Sequence, residues 1–207
     1  MRKELEEITR LFLIPRKNIK LIDFGCGDMP YRELLSPHVE EYLGLDLAEN
    51  PLADLHISPN GKIDVEDNSV DVVLSTQVLE HVEDPIEYLS ESHRILKPGG
   101  ILVLSTHGYW IYHPSPTDYW RWTASGLHKI LTERGFTVRY FKGIVGRAAT
   151  GLLLIQDSII FKLPKFLVPI IAFPIQLGMF ICDHIVSSQR SRNKDAAIYI
   201  VVCEAIE

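Results

Sequence analysis

An apolar run leads into two closely spaced glycines in the stretch Leu21-Ile22-Asp23-Phe24-Gly25-Cys26-Gly27-Asp28. Glycines one residue apart let the backbone turn sharply and approach a ligand more closely than any side chain would allow. A helix is expected to follow from Pro30, and the first turn of a helix leaves amide donors that suit a polar or anionic ligand group. The stretch therefore predicts a strand, a ligand-binding loop and a helix, in that order.

A carboxylate stands about twenty residues beyond this loop, which is the spacing of nucleotide-binding βαβ units. It belongs to Asp46, at the end of a second short apolar run over residues 42–46. An acid at this place accepts hydrogen bonds from both hydroxyls of a ribose. Loop and acid together predict a ligand that contains adenosine.

The residues around the loop disfavour a dinucleotide. The dinucleotide fingerprint needs a third glycine, which this chain lacks where Asp28 and Met29 stand. Asp23 and Asp28 place a negative charge on each side of the loop, and these charges repel a pyrophosphate but suit a cationic ligand. An NAD-dependent oxidoreductase is therefore the weaker interpretation.

Several ordered motifs resemble those of class I S-adenosylmethionine (SAM)-dependent methyltransferases of the methyltransferase type 11 group. The resembling segments are residues 23–27, 45–46, 54–55, 65–71, 72–82 and 96–100. The resemblance covers residues 20–142 and the last strand. It departs from the family at two places: the third glycine of the first motif is replaced around Asp28 and Met29, and residues 143–194 have no counterpart in the minimal domain.

The resemblance implies SAM as the cofactor and assigns roles around the loop. The carboxylate of Asp23 would contact the amino end of the methionine part, where it faces an ammonium. Asp54 would hold the adenine amino group, with Asp64 as the second choice. The strand that ends near Gln77 places polar residues at the carboxyl edge of the sheet, where open α/β folds bind ligands. The predicted cofactor contacts are Asp23, Gly25, Cys26, Gly27, Asp46, Leu47, Asp54, Leu55, Ser75, Thr76 and Gln77.

Histidines are the candidates for a general base, because the pKa of an imidazole lies near the working range. His81 follows a strand end and could take a proton from an acceptor hydroxyl. The Leu-Glu-His sequence around it is frequent in the family with different acceptors, so a structural or gating role suits it equally. His113 and His107 are the other candidates. A base is needed only where the acceptor is protonated at working pH.

The segment 107–123 is unusually aromatic for a loop and contains all three tryptophans of the chain. It follows the fifth strand, where the resemblance places the acceptor. Aromatic faces stack on sugar rings or planar acceptors, and a neighbouring arginine can pair with a carboxylate or phosphate. We expect part of the segment to pack on the following helix. The predicted acceptor contacts are Tyr109, His113, Tyr119 and Arg121.

The amino-acid composition limits the classes of substrate and the cellular compartment that we expect. The net charge of −6, without a stripe of lysine and arginine, disfavours a nucleic-acid substrate. Cys26, Cys182 and Cys203 have no metal-binding spacing, so we predict no metal site and reduced thiols in a cytoplasmic protein. The charged N-terminus has no secretory apolar region, so export is not expected.

The pattern of elements predicts an α/β fold, Rossmann-like and doubly wound, with a mainly parallel seven-stranded sheet and an antiparallel last strand. Asp84 before Pro85 and Thr123 are predicted helix caps, and Gly135 is a predicted helix stop. Residues 49–69 are expected to be mostly loop. The predicted strands are 20–24, 41–46, 70–75, 101–105, 136–142 and 197–204, and the predicted helices are 2–13, 30–36, 84–96 and 123–134.

The chain of 207 residues is interpreted as a single domain over 1–207, with an apolar helical insertion at 143–194. In residues 166–181 only Gln176 is clearly polar, and prolines interrupt the run. A membrane-spanning helix needs about 20 apolar residues, so spanning is disfavoured. Lys162 and Lys165 would suit an interfacial helix on anionic lipid. A lid over the substrate pocket, a dimer surface and a membrane-surface element therefore stay open, the first two being preferred.

These observations predict a SAM-dependent methyltransferase with a small or amphiphilic acceptor, such as a sugar-nucleotide or glycolipid precursor. The acidic charge and the apolar insertion favour such an acceptor, and the aromatic segment suits a sugar. The alternative is a non-catalytic SAM-binding module that regulates or scaffolds a membrane-associated partner. It would bind SAM without turnover and contact its partner through residues 150–185.

Overall fold

One mixed sheet of seven strands forms the centre of the computed structural model, which describes residues 1–58, 61–160 and 162–206. The strands are β1 (Lys20–Phe24), β2 (Glu41–Asp46), β3 (Leu55–His56), β4 (Val70–Thr76), β5 (Leu96–His107), β6 (Phe136–Gly146) and β7 (Ala196–Ala205). Their order is β3-β2-β1-β4-β5-β7-β6. The pairs from β3 to β5 are parallel, whereas β7 is antiparallel to both β5 and β6. The predicted Rossmann-like sheet with an antiparallel last strand is confirmed.

Helices cover both faces of the sheet because successive strand residues point to opposite sides. The helices are α1 (Arg2–Ile8), α2 (Arg32–Leu35), α3 (Pro85–Ile95), α4 (Ala124–Glu133), α5 (Arg147–Ile160), α6 (Val168–Ile181) and α7 (Gln189–Arg192). In β1, Leu21 joins the core that contains Leu5 of α1, whereas Ile22 joins the core that contains Leu89 of α3 and Leu127 of α4. These two apolar cores hold the carboxyl ends of the central strands at one edge.

Two predicted helix starts are confirmed by their caps. The Asp84 carboxylate accepts hydrogen bonds from the amides of Ile86 and Glu87, at 2.9 and 3.1 Å. The hydroxyl of Thr123 accepts one from the amide of Gly126 at 3.0 Å. Each cap satisfies amide donors that have no partner within the helix. The caps fix where α3 and α4 begin, and therefore how long the loops at the carboxyl edge are.

Several predicted boundaries move. α1 ends at Ile8 and continues as a π-helical turn over Thr9–Leu13. α2 is shorter than predicted because Pro37 lies in the 3₁₀ turn Ser36–His38 that follows it. β5 starts five residues early, since Leu96 already pairs with Val70. β6 reaches Gly146, since its pairing with β7 extends to Ala196.

The insertion lies between β6 and β7, where it was predicted, and its two long helices pack on each other. A Cβ added at Gly178 of α6 would lie 3.3 Å from a methyl group of Leu152 in α5. The prolines do not break α6: Pro169 lies in its first turn, where no helical amide bond is lost, and the helix continues through Pro174. The expectation of a twice-broken run was therefore wrong.

The outer face of α6 is apolar and open. Ile170 is 66% exposed, Phe173 is 69% exposed and Leu177 is 49% exposed, at the spacing of one helix face. By length and composition alone, the helical stretch Val168–Val186 could cross a membrane. Little of this stretch is buried, so packing inside this fold does not account for its apolar character.

Candidate active site

The loop after β1 depends on two glycines that have different tasks. Gly25 and Gly27 have φ of +80° and +53°, a region that side-chain-bearing residues rarely adopt. A Cβ at Gly25 would lie 2.5 Å from a methyl group of Val78, so this glycine lets the loop pack on the segment after β4. A Cβ at Gly27 would meet nothing within 4 Å. Gly27 therefore leaves open space beside the strand ends.

The Asp46 carboxylate is brought to this loop, as the spacing predicted. Its Oδ2 accepts hydrogen bonds from the amide of Gly27 at 2.8 Å and from the side-chain amide of Asn50 at 2.7 Å. Its Oδ1 accepts one from the amide of Leu47 at 2.8 Å. Asn50 also donates to the carbonyl of Gly27 at 2.8 Å. Sequence reasoning missed Asn50, although its place four residues after Asp46 in a polar loop was a usable signal.

Cys26 and Leu47 lie on either side of this carboxylate. Cys26 is buried, and burial together with the Asp46 charge raises the pKa of its thiol to about 12. The thiol is therefore protonated at neutral pH and contributes shape rather than charge. Leu47 is 45% exposed just beyond the end of β2, so it offers an apolar surface beside the loop. The cofactor contacts predicted for both residues stay predictions.

Asp23 is the buried carboxylate of the site, with 1% of its surface exposed. The hydroxyl of Tyr42 donates to its Oδ2 at 2.5 Å, whereas Oδ1 has no hydrogen-bond partner among the described residues. Burial, with a further contribution from the Asp46 charge, raises the pKa of Asp23 to about 7. A buried polar oxygen without a partner is costly, so this atom calls for a donor from a ligand.

Asp54, the residue predicted to contact adenine, lies beside β2 and short of its carboxyl end. Leu55 pairs with Leu45, which places Asp54 level with Gly44, before the strand end. The amide of Gly44 donates to the Asp54 carboxylate at 2.8 Å. Asp54 therefore braces β2, and Leu55 packs against the core. Asp64, the second choice, is exposed and follows Ile63, which forms an isolated bridge with Ile57 just after β3. The adenine contact stays a prediction for both acids.

The three polar residues at the end of β4 divide into one enclosed and two accessible side chains. Ser75 is fully buried, and its hydroxyl lies 2.8 Å from the Tyr88 hydroxyl of α3. Its side chain is therefore enclosed by packing, and the predicted cofactor contact of Ser75 stays a prediction. Thr76 and Gln77 are half-buried. Gln77 has φ of +59° and donates to the hydroxyl of Ser105 at 3.0 Å, which ties β4 to β5.

On the acceptor side, three histidine rings meet at the ends of β4 and β5. The rings of His81 and His113 are 4.9 Å apart, and those of His113 and His107 are 4.7 Å apart. His107 also stacks on Trp110 at 4.8 Å, with 9° between the rings. We call Glu80 and these three histidines the histidine cluster. All three residues that the sequence offered as candidate bases are therefore brought together.

Hydrogen bonds fix the tautomers of the two more accessible histidines. Nδ1 of His81 lies 2.6 Å from the carbonyl oxygen of Thr117. Nδ1 of His113 lies 3.2 Å from the carbonyl oxygen of Ile111 and 3.3 Å from the Asp118 carboxylate. These oxygens only accept, so Nδ1 carries the proton in both rings. Nε2 of each ring is therefore the atom with a free lone pair.

Glu80 is the fully buried member of the cluster and was not predicted, although it lies in the Leu-Glu-His sequence around His81. Its Oε2 accepts a hydrogen bond from the Thr106 hydroxyl at 2.8 Å. Its Oε1 lies 2.8 Å from Nδ1 of His107, but the two are not aligned as a hydrogen bond. Burial raises the pKa of Glu80, but the His107 and Thr106 contacts outweigh it and hold the pKa below its usual value.

Arg121 is engaged within the protein. Its guanidinium forms two 2.6 Å contacts with the Asp118 carboxylate and donates to the carbonyls of Trp110 and Ile111. Hydrogen bonds from Arg121 hold the pKa of Asp118 well below its usual range. Asp118, three residues earlier in the chain, therefore occupies the place on the guanidinium where an anionic group of the acceptor was expected. Arg121 shapes the aromatic segment 107–123, and this is the role that the structure shows.

A cavity of about 260 Å³ lies between the aromatic segment and α5. It is lined by Tyr109, Trp110, Trp122, Leu154 and Tyr199, among others. The Tyr109 hydroxyl donates to the carboxylate of Asp195 at 3.0 Å, so one predicted acceptor residue joins the loop to the end of the insertion. Tyr119, the other predicted tyrosine, is 47% exposed. The larger groove of about 730 Å³, between α4 and β6, contains none of the predicted site residues.

A family model described as a methyltransferase domain matches residues 2–140. The chain belongs to this methyltransferase domain family. The ubiquinone biosynthesis O-methyltransferase of Ruegeria pomeroyi is 36% identical over 105 residues, which are 44% of this chain and 42% of that relative. The chain spans about half the length of the curated relatives it matches.

Two solved structures share the methyltransferase fold over nearly the whole chain. The S-adenosylmethionine dependent methyltransferase of Mesorhizobium loti has a TM-score of 0.61 and 16% identity, and covers 97% of this chain and 96% of its own. The phosphoethanolamine N-methyltransferase 2 of Haemonchus contortus, in complex with phosphomonomethylethanolamine and S-adenosylhomocysteine, has a TM-score of 0.62 and 18% identity, and covers 100% and 53%. The predicted class I methyltransferase family, with SAM as its cofactor, is confirmed.

The residues at the ends of β1 and β2 fit SAM. The partnerless Oδ1 of Asp23 suits the ammonium of the methionine part, because a carboxylate accepts charge-assisted hydrogen bonds from an ammonium. The open side of Gly27 leaves room for close approach. Asp46 lies beside that opening. The contact of each residue with the cofactor stays a prediction.

Proposed function

We propose that this protein transfers the methyl group of SAM to a hydroxyl oxygen of a small or amphiphilic acceptor. The observation that carries the proposal is the meeting of two sites at one sheet edge. The Asp23 carboxylate, whose Oδ1 has no hydrogen-bond partner among the described residues, lies at the end of β1. The histidine cluster lies at the ends of β4 and β5. β4 lies directly between β1 and β5. The similarity to an O-methyltransferase supports oxygen as the reacting atom.

SAM supplies a methyl group that is already activated on a sulfonium. The protein therefore needs mainly to hold cofactor and acceptor in line. Asp23 accepts hydrogen bonds from the ammonium, and Asp46 accepts them from the ribose hydroxyls. The Gly25–Gly27 turn lets the backbone come close to both.

The histidine cluster takes the proton of the acceptor. Nε2 of His81 or of His113 accepts the hydroxyl proton, and the oxygen then attacks the methyl carbon. The carbonyl of Thr117 accepts from Nδ1 of His81 and stabilises the imidazolium that forms. Tyr119 and the cavity beside Tyr109 offer aromatic surface for the body of the acceptor.

The insertion provides a surface for an amphiphilic acceptor and for peripheral membrane contact of an otherwise cytoplasmic protein. The exposed face of α6 carries Ile170, Phe173 and Leu177. Lys162 and Lys165 precede it, and residues 158–182 contain no acidic side chain. An apolar helix face next to lysines suits the surface of an anionic bilayer. A bound lipid-like acceptor would then lie near the aromatic segment.

The first experiment is calorimetric titration with SAM, S-adenosylhomocysteine and NAD, with Asp46→Ala as the control. We expect binding of the first two and its loss in the variant. Release of S-adenosylhomocysteine is then measured with a prenylated phenol, a glycolipid and a sugar nucleotide. Turnover with any of these supports the enzyme. Binding of SAM without turnover by any acceptor would favour a SAM-binding module, and no binding of SAM would overturn the proposal.

A further inference from the structure

We propose that Glu80, His81 and His113 bind one divalent transition-metal ion of the Zn²⁺ type. One carboxylate oxygen and one nitrogen of each ring lie within 4.8 Å of one another. Glu80 and His81 are fixed just after β4, and His113 is fixed in the aromatic segment. The inference that the ion binds does not depend on the proposed function, whereas its role in methyl transfer rests on that function.

The three ligand atoms are close enough for side-chain rotation to complete the site. Zn²⁺ holds nitrogen and oxygen ligands at about 2.0–2.2 Å, which places neighbouring ligand atoms about 3.3 Å apart in a tetrahedron. The present atoms must approach by about 1.5 Å from their upper limit of 4.8 Å. His81 and His113 are only half-buried, so small shifts of both side chains can shorten these distances while the Nδ1 hydrogen bonds are kept.

The Glu80 carboxylate gives an independent reason for a cation. It is fully buried, and its Oε1 has no hydrogen-bond partner among the described residues. The neighbouring Nδ1 of His107 lies 2.8 Å away without alignment. A buried carboxylate carries a large desolvation cost, and a contact that is not aligned as a hydrogen bond offsets that cost only in part. A metal ion bound to this oxygen would offset the rest.

The two rings are oriented in the way that metal-binding histidines are. A histidine that binds a metal through one nitrogen usually donates its other N–H to a carbonyl or carboxylate, which fixes the tautomer. Nδ1 of His81 faces the Thr117 carbonyl, and Nδ1 of His113 faces the Ile111 carbonyl and the Asp118 carboxylate. The Arg121 pair with Asp118 in turn holds that carboxylate in place. Nε2 of both rings is left for the ion.

Two nitrogens and one oxygen select the class of metal. Mg²⁺ and Ca²⁺ prefer oxygen ligands alone, whereas imidazole suits Zn²⁺ and its neighbours among the transition metals. Three protein ligands leave a fourth position open, as in catalytic zinc sites. An acceptor hydroxyl bound there loses its proton more readily. In the ion-bound protein both Nε2 atoms are occupied, so the ion replaces His81 and His113 as the group that activates the hydroxyl. The proton passes to solvent, the oxygen bonds to the methyl carbon, and the sulfur keeps the electron pair of the broken S–C bond.

The test uses the full chain without a histidine tag, stripped of metal with a chelator. Zn²⁺ binding is measured by calorimetry, and Co²⁺ binding by its visible absorption, which reports four-coordinate geometry. We expect one ion per chain. His81→Ala and His113→Ala should each weaken Zn²⁺ binding by about tenfold or more. His128→Ala is the matched control, because His128 is exposed on α4 and stacks on Phe141 away from the cluster.

Glu80→Gln keeps the shape of the side chain and removes its charge, so it tests the carboxylate alone. Glu80→Ala is less suitable because it would also leave a cavity. Circular dichroism confirms that each variant is folded. The site would be overturned if the protein bound neither Zn²⁺ nor Co²⁺ stoichiometrically. It would also be overturned if the His81 and His113 variants bound the ion as tightly as the parent protein. SAM binding is measured on the same samples. If the protein binds SAM but no metal ion, only this inference fails. If it binds the metal ion but transfers no methyl group, the ion site stands and the proposed function fails.

Discussion

The two halves of the site are built by different means. The cofactor half consists of short loops that leave neighbouring parallel strands, and the Asp46 carboxylate is tied to backbone amides of those loops. The acceptor half consists of one long aromatic segment, which is held by backbone hydrogen bonds to Glu80 and His107 and by side-chain contacts. Arg121 closes that segment on itself, and Tyr109 joins it to the insertion. The first half is thus positioned by the sheet, whereas the second also depends on side chains that can change without loss of the sheet.

The largest expected effect tests the rigidity of the cofactor half. Gly25→Ala should abolish SAM binding and lower the free energy of unfolding by about 2 kcal/mol or more, because the added Cβ collides with Val78 at positive φ. Gly27→Ala is the matched variant, with positive φ and no collision. It should cost about 1 kcal/mol in stability. Urea unfolding and calorimetry measure both, and equal unfolding of Gly25→Ala and the parent protein would contradict the close packing.

The next prediction compares one variant in the cofactor half with one variant in the acceptor half. Asp46→Ala should weaken SAM binding by about a hundredfold, because a charged group that accepts two ligand hydrogen bonds contributes about 3 kcal/mol. Arg121→Gln should leave the SAM affinity unchanged and raise the KM for the acceptor, since Arg121 only shapes the aromatic segment. Calorimetry and steady-state kinetics give the two quantities. A weakened SAM affinity in Arg121→Gln would show that the halves are coupled.

The contrast between the halves also explains which parts were predictable. Local signals decided the cofactor half: two glycines, an acid at the next strand end, and the caps Asp84 and Thr123 all act within a few residues. These signals predicted the sheet and the meeting of Asp46 with the loop. They could not show that Ser75 points into the core, because burial at a strand end depends on what α3 places there.

In the acceptor half the decisive contacts join residues far apart in the chain or depend on loop shape. Nothing in the sequence shows that the carboxylate facing Arg121 is Asp118 rather than a ligand, since both use the same fork geometry. The pairing of Glu80 with Thr106 and His107 needs the register of β4 on β5. The continuity of α6 through Pro174 depends on packing against α5, which overrides a local preference.

A third prediction tests whether the insertion extends the acceptor half to a membrane surface. Phe173→Glu should weaken binding to phosphatidylglycerol vesicles by about tenfold or more, because burying a phenylalanine side chain is worth about 1.5–3 kcal/mol. Leu11→Glu is the control, since Leu11 is also exposed but lies after α1. Vesicle co-sedimentation measures the binding. Equal binding by both variants would remove the membrane role, and a dimer that dissociates only in Phe173→Glu would assign this face to self-association.

The smallest expected effect concerns protons at the buried carboxylate of the cofactor half. The pKa of Asp23 is raised to about 7 in the free protein, whereas an ammonium ligand needs the ionised form. The SAM affinity should therefore rise about tenfold between pH 6 and pH 8 and then level off. For the free protein the sign is opposite: the folded state holds this proton longer than the unfolded chain, so the stability from Asp23 is full at low pH and is lost as the pH rises through 7.

Two variants isolate this effect. Asp23→Asn should bind SAM weakly and with no dependence on pH over this range, because no proton is released. Tyr42→Phe removes the hydroxyl that donates to Asp23 at 2.5 Å, which favours the ionised form. The pKa of Asp23 should then rise further, and the increase in SAM affinity should move to higher pH. An unshifted profile in Tyr42→Phe would mean that a different group controls binding. Because the histidine cluster is unchanged in both variants, any remaining dependence of turnover on pH would belong to the acceptor half.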